Sequence, residues 1–249
     1  MNPILESLYT RKSVRVFTEQ PIAAQAREHI LLAAAHAPTA GNQQLYTILE
    51  ITDPARKARL SVTCDHQPFI ATAPMVLIFL ADAQKWLDAY HSIGLEARKP
   101  GVGDLMLAVS DACIAAQNAV TAAWSLGIGS CYIGDVMENA EEHRSMLELP
   151  PYVFPAAMLV LGYPTPQQLA RRKPERSSLA HTVHQNTYRR MDAAELAAML
   201  APHTGDKPLQ DWLTAFCKRK YESDFARELN RSAALYLQAF EEPQPAPHR

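Results

Sequence analysis

The stretch GDLMLAVSDACIAAQNAVTAAWSLGIGSCYIG, residues 103–134, decides how the rest of the chain is read. Its apolar residues Leu105, Met106, Val109, Ala112, Cys113, Ala116, Ala119, Val120 and Trp124 recur at spacings of three and four, so the spacing predicts a helix over 103–126. Leu107, Ile114, Ala115 and Ala123 widen the stripe until it covers most of the circumference. A helix apolar nearly all round is buried on several sides, in a large core, between subunits, or as a share of each. Residues 112–134 hold no charged side chain, which raises the question of a membrane span. Gln117 and Asn118 at the middle, the many alanines, and Gly127 and Gly129 near the end speak against it. GSCYIG, 129–134, then reads as a strand.

Outward from this stretch, LYTILEI (45–51), MVLIFLA (75–81) and AAMLVLGYP (156–164) have strand length and composition, and the second is apolar on both faces as a central strand requires. They imply a sheet core. Helices are expected over 3–9, from Pro21 to Ala37, from Pro54 with Asp53 as its cap, around 137–147 and again over 191–240. SVRVF (13–17) reads as strand-like, PTAGNQQ (38–44) as a loop, and the polar, proline-rich segment after Pro164 as a long surface connection.

The chain has 249 residues, 48% of them hydrophobic and 20% charged, with a net charge of −2. That is the composition of a globular protein, without the broad basic field that nucleic acid or an anionic membrane would call for. The run CKRK (217–220) is most often a solvated helix face. Cys64, Cys113, Cys131 and Cys217 lie far apart with no C-x-x-C pair, which argues against a disulfide framework and points to a reducing cytoplasm. Glu6 stands where a signal peptide would need an apolar core.

Motifs for side-chain catalysis are missing. GIGSCYIG places its glycines between a helix and a following strand, the reverse of a dinucleotide fingerprint. His181 with His184, and Cys64 with Asp65 and His66, lack third and fourth ligands at useful spacing, so no metal is expected. No G-x-S-x-G elbow occurs. A protein without a side-chain catalyst fits chemistry carried by a cofactor. In TRKSVRVF (10–17), an extended backbone would put Arg11, Ser13 and Arg15 on one face, two guanidinium groups and a hydroxyl suited to a phosphate and a polar ring. A solvated basic arm would use the same residues. RRKPER (171–176) offers a second basic cluster, and Thr39, Asn42 and Gln44 offer hydrogen bonds to a flat heterocycle, although a plain turn would also use them.

Taken in order, these segments resemble the nitroreductase family of FMN proteins, in its branch of NADPH-dependent nitro and flavin reductases, over roughly residues 4–190 with a weaker continuation to about 238. RKSVR is similar to the family's R/H-x-S-x-R element, which implies Arg11 and Ser13 at the FMN phosphate and ribityl end and Arg15 at the pyrimidine edge. APTAGNQQ resembles S-P-S/T-x-x-N-x-Q and carries over Thr39, Asn42 and Gln44, supplied across the dimer interface. Gln67 in DHQPF falls where the branch contacts the ring. SLGIGSCYIGD resembles the G-L-G-x-x-Y-I-G-G strand, implying Tyr132, Ile133 and Gly134 at the N5 and O4 edge, with Asp135 in place of the second glycine. KPER followed by VHQNTY nominates Lys173 and Arg176 for the phosphate, with Glu175 inserted between Pro174 and Arg176. In the tail, Arg231 falls on the substrate and nicotinamide side, and His203 stands where an NADPH-binding arginine is expected, which leaves NADPH against NADH open.

The resemblance implies a single α+β domain over 1–249 with 191–240 as a helical extension: a mixed, mainly antiparallel sheet wrapped by helices, in an intertwined homodimer with two FMN sites. It implies ping-pong reduction of nitroaromatics, quinones or free flavin by NAD(P)H, with the chemistry on FMN N5 and no catalytic side chain. Two alternatives stay open, an FMN oxidase or dehydrogenase of one metabolite, and a non-catalytic flavin-binding protein, the latter because of Asp135.

Overall fold

A computed structural model describes residues 1–241. They fall into two compact units, one made of Met1–Arg171 with the chain from Glu228 onward, the other of Arg172–Arg227.

The first unit is built on four strands, β1 (Tyr46–Glu50), β2 (Met75–Asp82), β3 (Gly129–Ile133) and β4 (Val153–Gly162), in the order β1-β2-β4-β3 with every neighbour antiparallel. β2 and β4 are the central pair and are buried along their whole length, as their unbroken apolar runs demand. Pro155 lies opposite Leu80, and the register slips between Phe79 and Leu80, because proline has no N–H to give the ladder. The expected strand at 13–17 is instead an extended arm touching the sheet at two isolated bridges, Ser13 with Ser130 in parallel and Phe17 with Pro164 in antiparallel sense.

Helices α1 (Pro3–Thr10), α2 (Ala24–Ala35), α3 (Pro54–Thr63), α4 (Pro68–Thr72), α5 (Gln84–Ser92), α6 (Val102–Ser125), α7 (Ala140–Met146) and α8 (Pro166–Ala170) surround the sheet. Asp53 caps α3 as its sequence indicated, its Oδ1 accepting from the Ala55 N–H at 2.9 Å. α2 starts at Ala24 rather than at Pro21, and α8 interrupts the expected surface connection after Pro164, with Thr165 as its cap. α6 packs against α2 and the sheet through a stripe of small side chains, Ala108, Ala112, Ala115, Ala116, Ala119 and Ala123, all fully buried. Alanines let the helix approach closely enough for β2 and β4 to close over it. Among the described residues α6 alone has the length and hydropathy of a membrane span, but that stripe is core. Its opposite side exposes Met106, Leu107 and Ile114.

In the second unit α9 (Ala193–Thr204) opens with a capping box between Asp192 and Glu195, and α10 (Leu209–Lys220) follows. α11 (Asp224–Leu237) then carries the chain back into the first unit.

Candidate functional site

The arm at 13–18 is seated by two glycines paired across the sheet, Gly129 on β3 and Gly162 on β4. A Cβ on Gly129 would lie 2.5 Å from Val14 Cγ2, and one on Gly162 would lie 2.7 Å from Pro74 Cδ and 2.8 Å from the Phe17 ring. Only glycine leaves room for that approach. The Val14 N–H then donates to Ser130 O at 2.9 Å and the Thr18 N–H to Tyr163 O at 2.8 Å. Val14 is completely buried, so its neighbours Ser13 and Arg15 must point outward, and both are exposed. With Arg11 they gather round Cys131 of β3. Burial pushes that thiol up, while the positive charges of Arg15 and Arg11 and hydrogen bonding by Ser13 and Arg15 pull the other way. Beside it, the Tyr132 hydroxyl lies 3.5 Å from Gln117 Oε1, its pKa raised mainly by burial.

The loop before β1 is organised from below by a residue that the motif comparison did not single out. Asp111, buried in α6, accepts from the Thr39 hydroxyl, from the Ala40 N–H at 3.1 Å and from the Leu45 N–H at 3.2 Å. Thr39 Oγ1 also accepts from the Gln44 N–H at 2.7 Å, and Gln44 Nε2 donates to Ala35 O at 3.1 Å. Two of the three nominated side chains are thus engaged in holding the loop, while Asn42 is exposed on left-handed backbone at φ 57°. The available signal was the lone acid in an otherwise apolar helix face, since a buried carboxylate demands donors.

Gln67 sits beyond the end of α3, where its Nε2 donates to Cys64 O at 2.9 Å and its N–H to Ser61 O at 2.7 Å. The turn that follows β3 packs against α3. Gly134 opens that turn, and the nearest atom to a Cβ placed there would be Met137 Cε at 3.8 Å. Glu138 closes it, buried, with its pKa pushed up to about 7 by burial first and then by Asp135, Asp65 and Glu228. Two contacts fix the turn to α3: His143, fully buried, bonds Val136 O and Thr63 Oγ1, each at 2.8 Å, and Asn139 Nδ2 donates to Thr63 O at 2.8 Å.

Arg231, nominated for the substrate side, is held by two carboxylates. Its Nη atoms reach Glu141 at 2.8 Å each, and its Nε reaches Glu228 at 2.8 Å. The pair draws Glu141 and Glu228 down to about 2. Lys173, Arg176 and His203 belong to the second unit. There Glu175 pairs with Arg172, Arg176 Nη1 lies 3.5 Å from Pro174 O, and His203 stacks on Trp212 with ring centroids 6.4 Å apart.

The donor set of the first unit suits a ligand with an anion at one end and a flat polar ring at the other. Guanidinium and hydroxyl groups stand beside Ser130 and Cys131 of β3, and backbone without a Cβ stands at Gly134, just past its end. Among the described residues no group of three or more His, Cys, Asp or Glu is arranged to hold a metal ion.

A model of the nitroreductase family matches residues 8–163. The chain is 32% identical over 241 residues to the FMN reductase (NAD(P)H) of Bacillus subtilis, covering 96% of this chain and 92% of that protein. It is 34% identical over 198 residues to the oxygen-insensitive NADPH nitroreductase of Salmonella typhimurium, covering 79% of each. Among solved structures, the hypothetical oxidoreductase YcnD from Bacillus subtilis superposes with a TM-score of 0.81 at 28% identity, over 95% of this chain and 98% of that one.

Proposed function

The chain belongs to the nitroreductase family and is an NAD(P)H-dependent oxidoreductase, and on that premise we propose that it binds FMN along β3 and works by a ping-pong mechanism, with nitroaromatics, quinones or free flavin as acceptors. The observation that carries this reading is the seating of the arm on Gly129 and Gly162, which turns Ser13 and Arg15 outward beside Arg11 over Cys131. Arg11 and Ser13 hold the phosphate and ribityl end by charge-assisted hydrogen bonds. Arg15 places a cation at the pyrimidine edge, where it favours the more negative reduced state and raises the potential. Backbone amides of Tyr132–Gly134 address the opposite edge of the ring. Bound FMN supplies the two-electron transfer between NAD(P)H and the acceptor.

A second copy of the chain covers the exposed apolar residues Ile4, Leu8 and Tyr9 of α1 and Met106, Leu107 and Ile114 of α6, and the exposed Asn42 serves the site of that second copy. The four free cysteines suit a cytoplasmic enzyme. Purified protein should be yellow, with a flavin spectrum that NADPH or NADH bleaches anaerobically. Colourless protein that cannot be reconstituted with FMN overturns the proposal. A flavin that binds and is reduced by neither nicotinamide would favour the non-catalytic alternative, for which Asp135 beside Gly134 is the specific feature.

A further inference from the structure

Glu138 is only 6% exposed, and its Oε1 has no hydrogen-bond partner among the described residues. A buried carboxylate oxygen without a donor is unfavourable, so the site prefers the neutral acid. The groups facing it reinforce that preference. Asp135 on its own turn, Asp65 on the loop before α4 and Glu228 on α11 all repel a negative charge on Glu138. The cation beside this cluster, Arg231, is forked between Glu228 and Glu141. The Cys64 thiol is pushed up by burial and then by Asp135 and Glu138, while His143 on α7 is buried with its pKa lowered. Asp65 (φ 58°), His66 (φ 50°) and Asn139 (φ 49°) in the surrounding walls adopt left-handed backbone, which Asp, His and Asn enter more readily than other non-glycine residues.

We propose that Glu138 is the proton-holding residue of this site, carrying a proton on its carboxyl among Asp65, Asp135 and Glu228 and supplying the second proton that reduction of an acceptor requires. The inference rests on the oxidoreductase reading above. Converting a neutral acceptor A to AH2 takes two electrons and two protons. NAD(P)H gives both electrons and one proton as hydride and leaves as NAD(P)+. The other proton comes from the Glu138 O–H, which is left as a carboxylate. Burial and three acidic neighbours then draw a proton back from water, so the sum is NAD(P)H + A + H+ → NAD(P)+ + AH2. An acid titrating at about 7 can both give and recover its proton at neutral pH.

Infrared titration of the full-length protein, wild type against Glu138→Gln, reads this group directly and needs no flavin. The expected result is a protonated-carboxyl band that persists to about pH 7 and is missing in the variant. In Asp65→Asn the band should titrate at lower pH, and asparagine suits left-handed backbone, so the loop is kept. In acceptor turnover, the wild-type rate should fall as pH rises through about 7. Glu138→Gln should be slower by roughly a hundredfold at acidic pH and should lose that inflection. A band that disappears in the ordinary carboxylate range, or a pH profile that Glu138→Gln leaves unchanged, overturns the proposal. If Glu138→Gln does not fold, the wild-type band and its movement in Asp65→Asn decide. Protein that never takes up FMN fails the flavin reading alone, and the titration still confirms or overturns the held proton.

Discussion

Cys131 in β3 and Cys64 at the end of α3 are both buried thiols, and burial raises both, yet the charges around them have opposite sign. Arg15 and Arg11 pull Cys131 down, whereas Asp135 and Glu138 push Cys64 further up. The basic field lies at the middle of the five-residue strand β3 and the acidic one around the turn just past its end. The basic field comes from an arm laid on the sheet at two glycines, the acidic one from turns packed together by His143 and Asn139. In the proposed mode of binding, a ligand along β3 would have cations beside Cys131 and the buried acid Glu138 in the turn past the strand's end.

Removing the basic end should give the largest effect. Replacing Arg11 and Arg15 together by alanine takes away charge-assisted contacts of about 1.5–3 kcal/mol each, so FMN affinity should fall by several orders of magnitude in a fluorescence titration. Affinity unchanged within a few-fold would mean that the cations serve something else.

The acidic end should appear in stability against pH. Glu138 holds its proton up to about 7 in the folded chain, against an ordinary value of 4.5, so its stabilising contribution is full below 4.5 and lost as pH rises through 7. Urea unfolding should show wild type losing about 2–3 kcal/mol over that window relative to Glu138→Gln. Glu141 and Glu228, drawn down to about 2, act in the opposite sense and below this window. Parallel curves for the two proteins would remove the acid from the comparison.

The smallest expected change tests how the basic end is seated. Gly129→Ala would bring a Cβ to 2.5 Å from Val14 Cγ2. Overpacking of this kind costs about 1–3 kcal/mol, and thermal unfolding should register it together with weaker flavin binding as the arm lifts. A loss of stability with flavin binding intact would show that Ser13 and Arg15 do not depend on the seat.

Strand and helix identities were largely legible, because periodicity and caps are local: the unbroken apolar runs of β2 and β4, Asp53 and Pro54 at α3, the long stripe of α6. Arg11, Ser13 and Arg15 could be nominated together for the same reason, being adjacent in sequence. Thr39 and Arg231 have contacts that their place in a pattern does not announce. Both were nominated by their place in a pattern, and in the fold the Thr39 hydroxyl binds Asp111 while Arg231 is forked between Glu141 and Glu228. Asp111 lies 72 positions from Thr39 and Glu141 lies 90 from Arg231, and no local pattern marks either; only Glu228, three positions from Arg231, is within reach of a local reading.

The sequence by itself determined most of the elements, the grouping of Arg11, Ser13 and Arg15, and the family, since each is written in residue types at short spacing. Only the tertiary structure decided that Glu138 is enclosed and faced by Asp65, Asp135 and Glu228, and that Gly129 and Gly162 form one seat. Whether a polar side chain is solvated or buried depends on chain segments far away in sequence, and that difference separates an ordinary surface acid from one that keeps its proton.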